Sequence, residues 1–307
     1  MHDSAWDRQV EQGQALCRQG RYAEARQIFE KVREQAEHFR ATDTLLAIAL
    51  NNLGSVYSHL NDLSQAEQCY RRSAAAWRAA RGDHDPNLIA PLTNLSSVYL
   101  ARRQYAQAES AAAQALDLAT GSVGPDHPVT AAILSSLANL RLGQGDFEGA
   151  AARAEQALAI MRRQPAGPEQ ATALDNLGAV YLAERRPEKA SPLFAEALEV
   201  LANIRQPEHP AWIRALNEKG VLDMQSGDYE KAETEFARAL EIAAKALPPA
   251  HPDTAGVLRN YAQLLRRTRR KSAAKKLEAK AAVIEAQSTR SNGLGYTVDV
   301  RSLSGFR

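Results

Sequence analysis

Between residues 124 and 160 the stretch GPDHPVTAAILSSLANLRLGQGDFEGAAARAEQALAI twice shows apolar residues recurring every three to four positions, with polar ones between them. The pattern predicts a first amphipathic helix over about 128–142 and a second over about 147–161. Gly143, Gly145 and Asp146 break the period between them. One such pair cannot bury its own apolar stripe, whereas stacked copies can.

The rest of the chain repeats the unit. Small residues near the start of each second helix fall at Ala25, Ala66, Ala108, Ala150, Ala190, Ala232 and Ala274, at spacings of 41, 42, 42, 40, 42 and 42. Twelve residues earlier, mid-way along each first helix, stand Gly13, Gly54, Ser96, Ala138, Gly178, Gly220 and Ala262. A glycine inside a helix costs about 1 kcal/mol against alanine, so its recurrence implies a helix crossing at close range. Phe29, Tyr70, Phe194 and Phe236, one turn beyond the aligned alanines, fill the space beside that crossing. Leu50, Leu92, Leu134, Leu174, Leu216 and Leu258 form a core column, faced by Leu116, Leu158, Leu198 and Leu240 on second helices.

Linkers read GDHDP, GPDHP, QPEHP and PPAHP, in which proline suits the first helical turn and the preceding Asp or His can cap it. Seven repeats are expected, over about 5–40, 43–82, 85–123, 127–163, 168–205, 209–247 and 251–287. The linker before the fifth repeat, QPAGPEQ at 164–170, lacks the histidine and is two residues shorter, and the seventh repeat is degenerate, with Glu278 in the aromatic column. A tail over 288–307 follows, in which Tyr296, Val298 and Val300 alternate with polar residues as in a short strand. It is expected either to be flexible or to dock on the array as an extended segment.

Composition agrees with helix-on-helix packing: the 307 residues are 45% hydrophobic but only 6% aromatic, so the interior is built from small and aliphatic side chains. There is no long apolar run and no leader-like N-terminus, which predicts a cytoplasmic protein. Cys17 and Cys69 lie apart within helices and read as small buried hydrophobes. The net charge of +2 is uneven. From Val257 onward twelve Lys/Arg face three acids, which leaves the preceding body acidic.

The small-residue columns, the Gly-Asp-Tyr/Phe-Glu-x-Ala turn (Gly145 to Ala150; Gly227 to Ala232) and the helix pairs resemble the tetratricopeptide repeat. The 42-residue period, LNNLG at Leu50 to Gly54 and the GPDHP linker are similar to the long-linker subtype of kinesin light chains and bacterial relatives. The resemblance implies an all-α fold, a right-handed superhelical solenoid of about seven antiparallel helix pairs, and a non-enzymatic scaffold for protein interaction. It also implies that first helices line a concave groove that holds an extended peptide.

One polar column on the first helices reads Asn52, Asn94, Ser136, Asn176, Glu218 and Asn260, and its neighbour reads Asn51, Thr93, Ser135, Asp175, Asn217 and Arg259. An amide donates and accepts at once, as sequence-tolerant binding of a peptide backbone requires. The alternatives are solvent-facing residues or hydrogen bonds between helices. Tyr57, Tyr99 and Tyr181 offer aromatic contacts to a ligand, or else core packing with the hydroxyl at the surface.

Arg266, Arg267, Arg269, Arg270, Lys271, Lys275 and Lys276 form a basic patch, read either as a solvated cap or as a surface for nucleic acid or an anionic membrane. The patch lacks interleaved aromatics, and the acidic body argues against nucleic acid. His127, His209 and His251 recur once per linker; packed helices lie ~8–10 Å apart and metal ligands need ~2 Å, so they predict caps rather than a metal site. No nucleophile motif, phosphate loop or cofactor signature occurs, so neither enzymatic activity nor a cofactor is expected. The partner expected is a protein or peptide, with a peptide-sensing regulator as the alternative.

Overall fold

A computed structural model describes residues 4–18, 21–37, 44–60, 62–204, 207–247 and 251–289. Among these residues are fourteen α helices and a short 3-10 turn (Pro86–Leu88), with no strand. The helices follow two per repeat. They are α1 (Ser4–Arg18) and α2 (Tyr22–Glu37), α3 (Leu45–His59) and α4 (Leu63–Arg81), α5 (Ile89–Ala101) and α6 (Tyr105–Ser122), and α7 (Pro128–Gln144) and α8 (Phe147–Met161). Then come α9 (Pro168–Ala183) and α10 (Pro187–Asn203), α11 (Ala211–Ser226) and α12 (Tyr229–Ala246), and α13 (Pro252–Arg267) and α14 (Lys271–Thr289). The fold is all-α. The last helix continues two residues beyond the expected end of the seventh repeat, and the tail with Tyr296, Val298 and Val300 lies outside the described residues.

The chain divides into two compact units at Ser136/Leu137, inside α7. In the first, consecutive helices from α1 to α6 pack on one another, and first helices also touch across repeats, α1 on α3 and α3 on α5. In the second, consecutive helices from α8 to α13 do the same, with α9 on α11 and α11 on α13.

Local chemistry explains the helix boundaries. Asp62, Asp146 and Asp228 each accept a hydrogen bond from the backbone N–H three residues on and so cap α4, α8 and α12. The linker histidines do the same for first helices: Nδ1 of His127, His209 and His251 accepts from the N–H two residues later, 3.2 Å away in each case. Between the two helices of five repeats the chain passes through a left-handed residue, Arg103, Gly145, Arg185, Gly227 and Arg269 in turn. Glycine takes that conformation freely and arginine does not.

The close approach at the glycine column is made by the ring of the same repeat's second helix. A Cβ on Gly13, Gly54 or Gly220 would fall 2.6, 2.7 or 2.8 Å from Phe29, Tyr70 or Phe236, all almost wholly buried. Where the first-helix residue is Ser96 or Ala138, the position sixteen residues on is Ala112 or Ala154. There Ser96 Oγ donates to the Ala108 carbonyl at 2.8 Å and ties its two helices together without a ring.

Candidate functional site

The two polar columns of the first helices meet each other. Asn94 on α5 is 1% exposed, Asn51 on α3 is 2% exposed, and Asn94 Nδ2 donates to Asn51 Oδ1 at 3.2 Å. In the second unit Asn260 Nδ2 on α13 donates to Asn217 Oδ1 on α11 at 3.0 Å, and both residues are partly exposed. Both bonds join residues 43 apart, one repeat plus one position. Successive first helices cross at an angle, so the residue met across the interface lies in the adjacent column. These asparagines therefore form the hydrogen bonds between helices that stood as an alternative to direct ligand contact.

The row is not fully satisfied. Asn52 is 9% exposed and its Nδ2 has no partner, because the position that would supply the acceptor is Val10 on α1. Asn176 Oδ1 accepts from an Arg214 Nη at 2.9 Å.

In the second unit the position equivalent to the Asn51–Asn94 and Asn217–Asn260 pairs holds two acids, Asp175 on α9 and Glu218 on α11, again 43 apart. Asp175 is 1% exposed and neither carboxyl oxygen has a hydrogen-bond partner. Burial pushes its pKa up to about 8; the nearby Arg214 guanidinium opposes the rise and Glu218 adds to it. Glu218 is partly exposed and accepts from Asn217 Nδ2 at 3.2 Å, and burial raises its pKa too. The acid pair is missed when columns are read straight down the repeats; the 43-residue offset is the signal that finds it.

The tyrosines bridge repeats. Tyr57 OH donates to Glu30 at 3.0 Å, Tyr99 to Glu67 at 3.4 Å and Tyr181 to Glu155 at 2.6 Å. Tyr261, which the sequence reading passes over, donates to Glu233 at 2.8 Å. Burial, then the bond to Glu30, lifts Tyr57 to about 12; at Tyr181 the bond to Glu155 is the leading cause of a rise to about 12. Tyr181 is also covered by Lys189 Nζ, 4.9 Å from the ring centre. Each hydroxyl thus points to a glutamate on the preceding second helix.

Much of the basic patch is engaged internally. Arg266 forms a two-pronged pair with Glu278 and Arg270 another with Glu233, while Arg267 donates to the Met224 carbonyl at 3.3 Å. Glu278, out of place in an aromatic column, is thus the partner of Arg266. Arg269, Lys271, Lys275 and Lys276 are exposed. Cys17 and Cys69 are not joined in a disulfide, and burial pushes the Cys69 thiol up to about 11. No cluster of three or more His, Cys, Asp or Glu suited to a metal occurs among the described residues, and no described helix is long and apolar enough to cross a membrane.

One tetratricopeptide-repeat family model matches residues 9–79, 45–121, 87–163 and 213–282, and a second matches residues 170–211. The chain belongs to the tetratricopeptide repeat family. Among solved structures, the repeat array is similar to BtubC (BKLC) from P. vanneervenii, with 23% identity over 78% of this chain and 92% of that one and a TM-score of 0.55. It is also similar to a putative kinesin light chain from Podospora anserina with nearly identical repeats, at 20% identity over 67% of this chain and 99% of that one, TM-score 0.50. A Rap protein complexed with competence and sporulation factor aligns at 14% identity over 91% of this chain and 74% of that one, TM-score 0.67. These likenesses are of fold. No curated protein sequence matches the chain.

Proposed function

We propose that this tetratricopeptide-repeat protein is a non-enzymatic interaction scaffold whose first-helix face takes an extended segment of a protein partner. The observation that carries the reading is the incomplete hydrogen bonding of the first-helix row. Buried polar atoms in folded proteins are nearly always paired, yet Asn52 Nδ2 and both oxygens of Asp175 are not. Unpaired polar groups in these adjacent columns are what a partner segment seated on the first helices, with its alternating N–H and C=O groups and its side chains, can compensate, Asp175 through the field rather than by contact. Asn51, Asn94, Asn176, Asn217 and Asn260 then act by holding that row in register and by their remaining lone pairs and protons. Tyr57, Tyr99 and Tyr181 act as supports through their glutamates. The Rap protein's complex with a separate factor supports occupancy of a similar array by a partner.

Electrostatic binding through the C-terminal patch is the weaker reading, since Arg266 and Arg270 already face Glu278 and Glu233. A photo-crosslinking residue placed at Ser136, Glu218 or Arg259 in the native cell should trap one recurring partner segment, whereas the same residue at exposed Ser110 or Lys276 on second helices should not. Equal trapping from both sets of positions would overturn the reading.

A further inference from the structure

We propose that the Asp175–Glu218 pair on α9 and α11 is a subsite for a monovalent organic cation, the guanidinium or ammonium group of a bound segment. The proposal rests on the first-helix reading above and names the chemistry recognised at one place on that face. Three observations carry it. At two other interfaces between successive first helices the corresponding positions hold amides bonded to each other, Asn94 to Asn51 and Asn260 to Asn217, whereas the two acids here form a pair that lacks donors. Asp175, almost wholly buried, has no partner on either oxygen. Among the described residues Arg214 is the cation whose charge acts on both acids, and one of its nitrogens is already spent on Asn176 Oδ1.

Charge counting then selects the ligand. Two carboxylates and one guanidinium leave a single negative charge in a poorly solvated place, which a proton neutralises when the site is empty and a monovalent cation neutralises when it is filled. Glu218 is the solvent-reaching member and pairs with the cation directly. Asp175, closed from solvent, responds through the field, which carries far in a medium of low dielectric. A divalent metal fits poorly: it needs six or more oxygen ligands at short range, and only two carboxyls are present, beside a fixed positive charge.

The test uses the full chain and ethylguanidinium as the probe, with the Asp175 carboxyl followed by 13C NMR and assigned by its loss in Asp175→Asn. Ethylguanidinium should shift the signal saturably and lower the Asp175 titration midpoint by at least about one pH unit. Ethylurea and sodium chloride at the same concentrations should not. Glu218→Gln, checked for folding by its thermal transition, should abolish the effect, and Asp175→Asn should weaken probe binding several-fold as read from the Glu218 signal. A response equal to that of sodium chloride, one that survives Glu218→Gln, or saturation by calcium instead would overturn the proposal. The probe carries no peptide backbone, so a failure here is distinct from a failure of the crosslinking experiment.

Discussion

A methyl group on Gly178 would lie 2.5 Å from Cε1 of Phe194, whose ring is wholly buried. The ring occupies the space that the missing side chain leaves, and the same relationship recurs sixteen residues apart at Gly13–Phe29, Gly54–Tyr70 and Gly220–Phe236. Glycine in these helices is a packing residue whose helix-propensity cost is offset by burying an aromatic ring against the backbone.

Gly178→Ala should therefore destabilise the fold by ~1–3 kcal/mol through overpacking, despite alanine's better helix propensity. Phe194→Ala should cost ~3–5 kcal/mol. In the double variant the new methyl occupies part of the vacated space, as at Ala138 and Ala154. The loss should then be smaller than the sum by ~0.5–3 kcal/mol. Urea unfolding of the four proteins measures this, and strict additivity would show that the ring and the glycine do not share one space.

The left-handed turn position gives a second prediction. Arg185 adopts φ 63° where Gly227 adopts φ 87°, and Arg185 is exposed. Arg185→Gly relieves a strain of ~1–2 kcal/mol, less the extra freedom glycine gains when unfolded, and should stabilise by about 0.5 kcal/mol. Gly227→Ala should destabilise by ~1 kcal/mol. Opposite shifts in thermal midpoint are the expected readout; shifts of the same sign would refute the strain argument.

Asn94 and Asn52 occupy the same column but not the same circumstances. Asn94→Leu leaves Asn51 Oδ1 buried without its donor, which costs ~1–3 kcal/mol. Asn52 Nδ2 has no partner to lose, so Asn52→Leu should cost markedly less or stabilise. Chemical denaturation of the two variants, compared with Asn51→Leu/Asn94→Leu, decides between bonded and merely coincident amides. The double variant should recover much of the loss.

Much of the fold is legible in the sequence because helix-pair packing repeats its steric demands at a fixed period. The alanine columns, the leucine column at Leu50 to Leu258, the capping Asp and His residues and the bounds of α8 all follow from that regularity. What hides is whatever depends on a crossing angle. Asn94 finds Asn51, and Asp175 feels the charge of Glu218, at the period plus one, so a reading confined to aligned columns sees amides and acids but not their partners. The turn position hides for another reason: arginine at Arg103, Arg185 and Arg269 carries no signal for a left-handed residue, and only Gly145 and Gly227 betray it. The ring at the glycine column was visible as an aromatic column, but periodicity alone assigns the close approach to a helix in general rather than to Phe29, Tyr70, Phe194 or Phe236.

Asp175 makes the stability of the chain depend on pH in an unusual direction. Unfolded, it ionises near the ordinary carboxylate value of 3.8; folded, burial lets it keep its proton up to about 8. Between those values the folded state binds more protons than the unfolded one, so stability falls as pH rises, with a slope of up to ~1.4 kcal/mol per pH unit, and levels off above about 8. Glu218 and Glu235, the latter raised to about 7, act in the same direction. The paired Glu233 and Glu278, whose pKa values are lowered, act oppositely but only at pH values below the ordinary glutamate range. Asp175→Asn removes the largest raised group while keeping its shape, and should therefore be more stable than the parent at pH 8 and converge with it near pH 4. Thermal midpoints of the two proteins across pH 4–9 measure the difference. A difference that stays constant with pH would mean that Asp175 is already ionised in the fold.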